Sequence, residues 1–205
     1  MKEKTGITLI FILYSVGLVC MFIPPLKPSV LALTPYTLLI SFILLLSSYK
    51  WKKSLLMVSV TLMVLGFLVE WLGVKTGWVF GSYAYGSVLG PKLFDVPLII
   101  GVNWAMLALI CHGMAHFFVP HRWGSIFLGA ALMTGMDFLM EPVAVANGYW
   151  HWKDGIIPVY NYVCWFVVAW IANALIHRFS LTKMNNISLV LFLVLNLFFL
   201  IQNLT

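Results

Sequence analysis

Residues 124–142 read GSIFLGAALMTGMDFLMEP, a membrane-length apolar run carrying two carboxylates, Asp137 and Glu141. The two acids are four residues apart, so on a helix they share one face. A third, Glu70, closes another apolar run. The chain holds only 6 acidic residues, and these three lie in or at the edge of apolar segments. Ionisable groups at membrane depth are costly to bury, so they mark candidate functional sites.

The rest of the composition fixes the class. Of 205 residues, 62% are hydrophobic and 9% charged, and the mean hydropathy is +1.02. Soluble domains carry about 25% charged residues. The reading is therefore an all-α, polytopic transmembrane helix bundle forming one integral membrane domain over residues 1–205. Seven spans are expected, each near the ~20 residues a bilayer requires: Gly6–Ile23, Val30–Tyr49, Ser54–Leu72, Pro97–Val119, Gly124–Glu141, Val159–His177 and Ile187–Leu204. The first stretch is long and runs into PPLKP without a small-residue cleavage site, so it reads as a retained helix. The net charge of +6 is scattered over short loops, which excludes a nucleic-acid role and suits topology signals. Lys2, Lys4, Lys50, Lys52, Lys53, Arg122, Arg178 and Lys183 fall on one side, and Lys27, Lys75, Lys92 and Lys153 on the other. The positive-inside rule then places the N-terminus in the cytoplasm. Cys20, Cys111 and Cys164 lie in apolar stretches with no disulfide or metal spacing and read as packing residues.

Two loops on the outer side are dense in Gly, Trp and Tyr: GVKTGWVFGSYAYGSVLGPKLFDVP between spans three and four, and PVAVANGYWHWKDGIIPVYN between spans five and six. An interfacial aromatic belt explains single aromatics, but it explains poorly two loops so rich beside the acids. Irregular backbone near a membrane is tolerated where it lines a cavity. At 1.5 Å per residue, Asp137 lies roughly 22 Å above Arg122, in the outer half of a ~30 Å core. Glu70 and Glu141 lie near the outer boundary, Asn103 roughly 9 Å below it, and Asn161 opens span six on the same side. Glu70, Asn103, Asp137, Glu141 and Asn161 are thus expected to converge in one outer pocket. Trp104, Tyr149, Trp150 and Trp152 would wall it. His151, between two of those tryptophans, is a candidate proton-transfer aid.

Each nomination has a plainer rival. Glu70 and Glu141 can reach interfacial water from helix ends, Asp137 can tie helices together through Asn103, and Asp154 beside Lys153 reads as solvated. His112 and His116 have metal-binding i, i+4 spacing. His112 lies roughly 12 Å above the inner end, about 10 Å from the depth of Asp137, too far for one centre with ~2 Å bonds. No metal is assigned.

A carboxyl in apolar surroundings favours its neutral form and can act as a general acid, and aromatic faces stabilise cations. Together they suit protonation of a C=C bond in a lipid-soluble substrate. Water then gives an alcohol, an internal alkene a ring, and proton loss an isomer.

The same residues carry a resemblance. VEWLGVKTGWVFGSYAYGSVLGPKLFDVPLIIGVNW and MDFLMEPVAVANGYWHWKDGIIPVYNYVCWFVVAW resemble the carotenoid biosynthesis membrane protein family, which includes carotenoid 1,2-hydratases. The similarity covers residues 70–170. It rests on E-x-x-G-x-x-x-G-x-x-x-G-x-Y-x-Y, on GP with P-x-x-x-G-x-N-W, and on D-x-x-x-E-P followed by W-x-W and P-x-x-N-x-x-x-W. It implies hydration of the terminal double bond of an acyclic or monocyclic carotenoid, without a cofactor. The implied location is a bacterial or archaeal cytoplasmic membrane, with membrane lipid around the chain and other carotenoid enzymes as candidate partners. No dinucleotide or phosphate motif argues otherwise. The expected catalytic group is Asp137, Glu141 and Glu70. The expected substrate contacts are Asn103, Trp104, Tyr83, Tyr85, Tyr149, Trp150, Trp152, Asn161 and Trp165. An end-group cyclase would share the acid in a drier pocket. A carotenoid-binding scaffold or transporter would tolerate loss of the acids.

Overall fold

The computed structural model describes residues 3–179, 181 and 184–205. Two of the charges used for topology, Lys2 and Lys183, lie outside the described residues. Among the described residues seven helices are long and apolar enough to cross a membrane, and the protein is an integral membrane helix bundle. They are α1 (Glu3–Met21), α2 (Lys27–Ser48), α3 (Lys53–Thr76), α4 (Ile99–Phe118), α5 (Arg122–Ala146), α6 (Val159–Arg178) and α7 (Asn186–Asn203). Apolar side chains point outward as well as inward: Phe11 and Val16 on α1, Val60 and Val64 on α3 and Phe127 on α5 are all exposed. Such all-round hydrophobicity suits helices whose solvent is lipid.

Helix α4 is the hub. It is buried along most of its length and packs against α2, α3, α5, α6 and α7, while α1 lies outermost against α2 and α7. Glycines bring α3 onto α4. A Cβ added at Gly66 would stand 2.4 Å from Trp104 Cβ, and one at Gly101 would stand 2.6 Å from the Met63 carbonyl oxygen. Small residues at such crossings let backbones approach closely. The approach sets Glu70, one turn beyond Gly66, beside the indole of Trp104. Helix α3 then ends at Gly77, whose φ of 68° is a left-handed cap that glycine adopts without penalty.

Four short strands follow from the aromatic loops: β1 (Tyr83–Tyr85), β2 (Lys92–Leu93), β3 (Val96–Pro97) and β4 (Trp150–Trp152). Strand β2 pairs with β3 in a local hairpin. The pairing that matters joins the two distant loops: β1 runs antiparallel to β4, with Tyr83 opposite Trp152 and Tyr85 opposite Trp150. Y-A-Y and W-H-W each alternate with period two, so all four large aromatics share one face.

Two helices run past their expected ends. Helix α3 continues beyond Leu72 to Thr76. Helix α5 does not stop at Glu141 but continues through Pro142 to Ala146. Proline removes one backbone hydrogen bond and crowds the carbonyl four residues back, yet the added turn is closed by the Asn147 side chain on the Val143 carbonyl (2.7 Å) and by the Tyr149 N–H on the Ala144 carbonyl (2.9 Å). The chain therefore turns back from a higher point and lays β4 over Glu141.

Gly66→Val forces a branched side chain into Trp104, and overpacking of this kind costs ~1–3 kcal/mol. Thermal unfolding in detergent should show a clearly lowered Tm for Gly66→Val. Gly135→Ala, where an added Cβ meets nothing within 4 Å, should unfold at or above the parent temperature.

Candidate active site

Glu70, Asp137 and Glu141 meet beneath the β1–β4 ribbon, at 4%, 0% and 2% exposure. Among the described residues none of the three forms an ion pair; the one salt bridge there joins Lys75 to Asp95 at the surface. Hydrogen bonds do the compensating. Glu70 Oε2 accepts from the hydroxyls of Tyr83 (2.5 Å) and Tyr85 (2.7 Å), and Oε1 accepts from Trp104 Nε1 (2.8 Å). Glu141 Oε2 accepts from Trp150 Nε1 and Trp152 Nε1, both at 2.9 Å. Strand β1 thus supplies donors to one carboxyl and β4 to the other. Burial, and then the neighbouring Glu70, push the Tyr83 and Tyr85 phenols well above their usual pKa, so both remain protonated donors.

Asn161, in the first turn of α6, joins the remaining pair. Its Nδ2 donates to Asp137 Oδ2 (3.0 Å) and to Glu141 Oε1 (3.3 Å). That leaves Asp137 Oδ1 buried without any hydrogen-bond partner. The three carboxyls therefore differ. Glu70 and Glu141 have both oxygens engaged as acceptors, the pattern of an anion, whereas Asp137 keeps one oxygen free to carry a proton.

The acids line a cavity of about 30 Å³, room enough for water. Aromatic faces form its walls. Trp104 and Trp165 stack at 4.0 Å between centroids, 13° from parallel. Phe80 lies 6.2 Å from Trp104 and 6.1 Å from Trp165. Phe80 is 2% exposed and holds a φ of 68°, a strained conformation for a residue with a Cβ and one that gathers at functional sites.

The sequence-nominated residues come together here with two corrections. Tyr149 does not wall this cavity. It precedes β4, and its hydroxyl pairs with Thr34 Oγ1 at 3.1 Å beside a neighbouring cavity. His151 is exposed, because strand alternation turns it away when Trp150 and Trp152 face inward; it is not placed for proton transfer to the acids. Phe80, Ile100 and Met140 line the site without having been singled out. Apolar side chains carry no chemical signal in a chain this hydrophobic, although Met140 adjoins Glu141. The histidines stand apart. His112 Nδ1 pairs with Asn173 Oδ1 at 3.0 Å, and its ring lies 6.3 Å from His116 and 5.8 Å from His177. His112 follows Asn103 by nine residues, roughly 13 Å along α4. Among the described residues no group of His, Cys, Asp and Glu is arranged to hold a metal ion.

The sequence belongs to a known family. Residues 26–205 match the carotenoid biosynthesis protein family. The chain is a member of it. A curated relative, the bisanhydrobacterioruberin hydratase of Haloarcula japonica, is 33% identical over 124 residues, covering 57% of this chain. The match takes in 42% of that hydratase, so the chain spans less than half the length of the relative it matches. No solved structure matches the chain.

Tyr85→Phe leaves a buried Glu70 oxygen with one donor fewer, at a cost of ~1–3 kcal/mol. Its Tm in detergent should fall. Tyr36→Phe, at a residue 63% exposed, should leave the Tm unchanged.

Proposed function

We propose that this chain is a carotenoid hydratase that adds water across the terminal C1=C2 bond of an acyclic or monocyclic carotenoid. The observation that carries the reading is the inequality of the three buried carboxyls: only Asp137 keeps an unpartnered oxygen in the cavity. Asp137 Oδ1–H donates its proton to C2. The alkene electron pair forms the new C–H bond and leaves a tertiary cation at C1. The stacked Trp104 and Trp165, with Phe80, offer π-faces to that cation. Water adds through oxygen to C1. Its surplus proton goes to Glu70 and returns to Asp137 through cavity water, so one water is consumed and acid and base are restored.

Asn161 is committed to bridging Asp137 and Glu141 and serves as a positioning residue. Asn103 has no hydrogen-bond partner among the described residues and lines the cavity. Its carboxamide is therefore free to hold the attacking water. Room for water and a free amide favour hydration over ring closure, which needs the cation kept dry. Family membership and the hydratase named among the relatives supply the substrate class. The reading needs no cofactor: proton and water suffice. The N-terminus on the cytoplasmic side remains the orientation that the loop charges favour.

The test is expression in bacteria that accumulate lycopene or γ-carotene, with pigments separated by chromatography and mass detection. The parent chain should yield a product heavier by one water with an unchanged chromophore. Asp137→Asn should cut product ~100-fold or more, the scale of a lost general acid, while the protein stays in the membrane. Parent-like turnover by Asp137→Asn, or a product of unchanged mass with a shortened chromophore, would overturn this assignment.

A further inference from the structure

A second cavity, about 90 Å³, adjoins the acid site. It lies between α4 and the outer trio α1, α2 and α7, and shares Ile100, Asn103, Met140 and Trp150 with the acid cavity. Its walls are mostly hydrocarbon, including Leu13, Leu38, Leu107, Leu195 and Phe198. The hydroxyls along it are already engaged. Tyr14 pairs with Ser41 (3.1 Å), Thr34 with Tyr149 (3.1 Å), and Thr37 donates to the Leu33 carbonyl (3.2 Å). The space therefore offers a ligand apolar contact, and its one free amide, Asn103, stands at the junction with the acids.

The cavity is elongated, and part of its lining is partly exposed. On α1 its lining runs from Leu13 to Met21 and on α4 from Ile100 to Leu107, a length of roughly 12 Å along the helices. Leu13, Gly17, Thr34 and Leu38 on its rim are only half-buried, on helices whose outer faces meet lipid. Gly17 widens it: a Cβ added there would meet only Phe198 Cε2, at 4.0 Å.

We propose that this cavity seats the chain of the substrate, an elongated apolar polyene that enters laterally from the bilayer between α1, α2 and α7. Its terminal alkene passes Asn103 into the acid cavity, while the remainder of the chain extends past the rim into lipid. One end group is processed per binding event. The proposal rests on the hydratase reading for the identity of the reacting end. The seat itself rests on the shared lining, on walls whose hydroxyls are all engaged, and on the partial exposure of lining residues on α1 and α2.

The test uses the full chain purified in detergent from cells accumulating lycopene, with lycopene retained per protein read by absorbance and product by mass. Gly17→Phe on α1 and Leu38→Trp on α2 plug the cavity from opposite walls. Both should fall at least tenfold in retained lycopene and in product, with parent-like Tm. Val16→Trp, on the lipid face of α1 at 56% exposure, should match the parent in both. Asp137→Asn should keep its lycopene and lose product. Parent-like retention and turnover in both plugged variants, at parent-like Tm, would overturn the seat while leaving the acid assignment standing. So would cavity-dependent loss of phospholipid alone with turnover unchanged, since a lipid acyl chain would then be the occupant. Cavity-dependent lycopene retention without hydrated product from any variant, the parent included, would support the seat and overturn the reaction.

Discussion

Three carboxyls buried in a membrane protein without a paired cation are the constraint around which this structure is arranged. Each would be costly in an apolar interior unless hydrogen-bonded. The donors come from far apart in the sequence: phenols of β1, indoles of β4, an indole of α4 and the amide of Asn161 on α6. The β1–β4 ribbon is therefore more than a loop contact. Its register puts two phenols over Glu70 and two indoles over Glu141, and the ribbon closes the site only because α5 runs one turn beyond Pro142 before the chain returns.

The same arrangement distinguishes the acids by their hydrogen-bond partners. Donors saturate two of them and leave Asp137 with one oxygen uncommitted. Burying a polar oxygen without a partner is the kind of cost a structure keeps where chemistry requires it. Around it stand aromatic faces and an amide, the groups that a short-lived cation and a captured water call for. The apolar cavity beyond Asn103 adjoins this polar pocket and would give a lipid-soluble substrate a path to it.

Much of this was legible from particular residues. Asp137 and Glu141 stood out because acids are rare in this chain and shared a helix face. Depth counting placed Asp137, Glu70 and Asn103 in the outer half, and Asn161 opens span six on the same side. Tyr149 and His151 were misplaced because W-H-W was taken as a loop and not as a strand, and alternation is what turns Trp150 and Trp152 inward and His151 away. Y-A-Y carried the same period-two signal, but pairing across some sixty-five intervening residues has no local signature. The end of α5 was misjudged because Pro142 reads as a stop, while the bonds that tolerate it come from Asn147 and Tyr149. Phe80 and most of the cavity under α1 were illegible, since Phe80 and residues such as Leu13, Leu38 and Leu195 are apolar side chains in a chain full of them.

Infrared spectroscopy tests the central claim, the distinct state of Asp137, most directly. A protonated carboxyl has a carbonyl stretch separate from that of a carboxylate. The parent protein in lipid at neutral pH should show a buried protonated carboxyl band that is slow to exchange in heavy water. Asp137→Asn should lose that band, and Glu70→Gln should keep it. A band that survives in Asp137→Asn and disappears in Glu70→Gln would place the proton on the other acid and contradict the account.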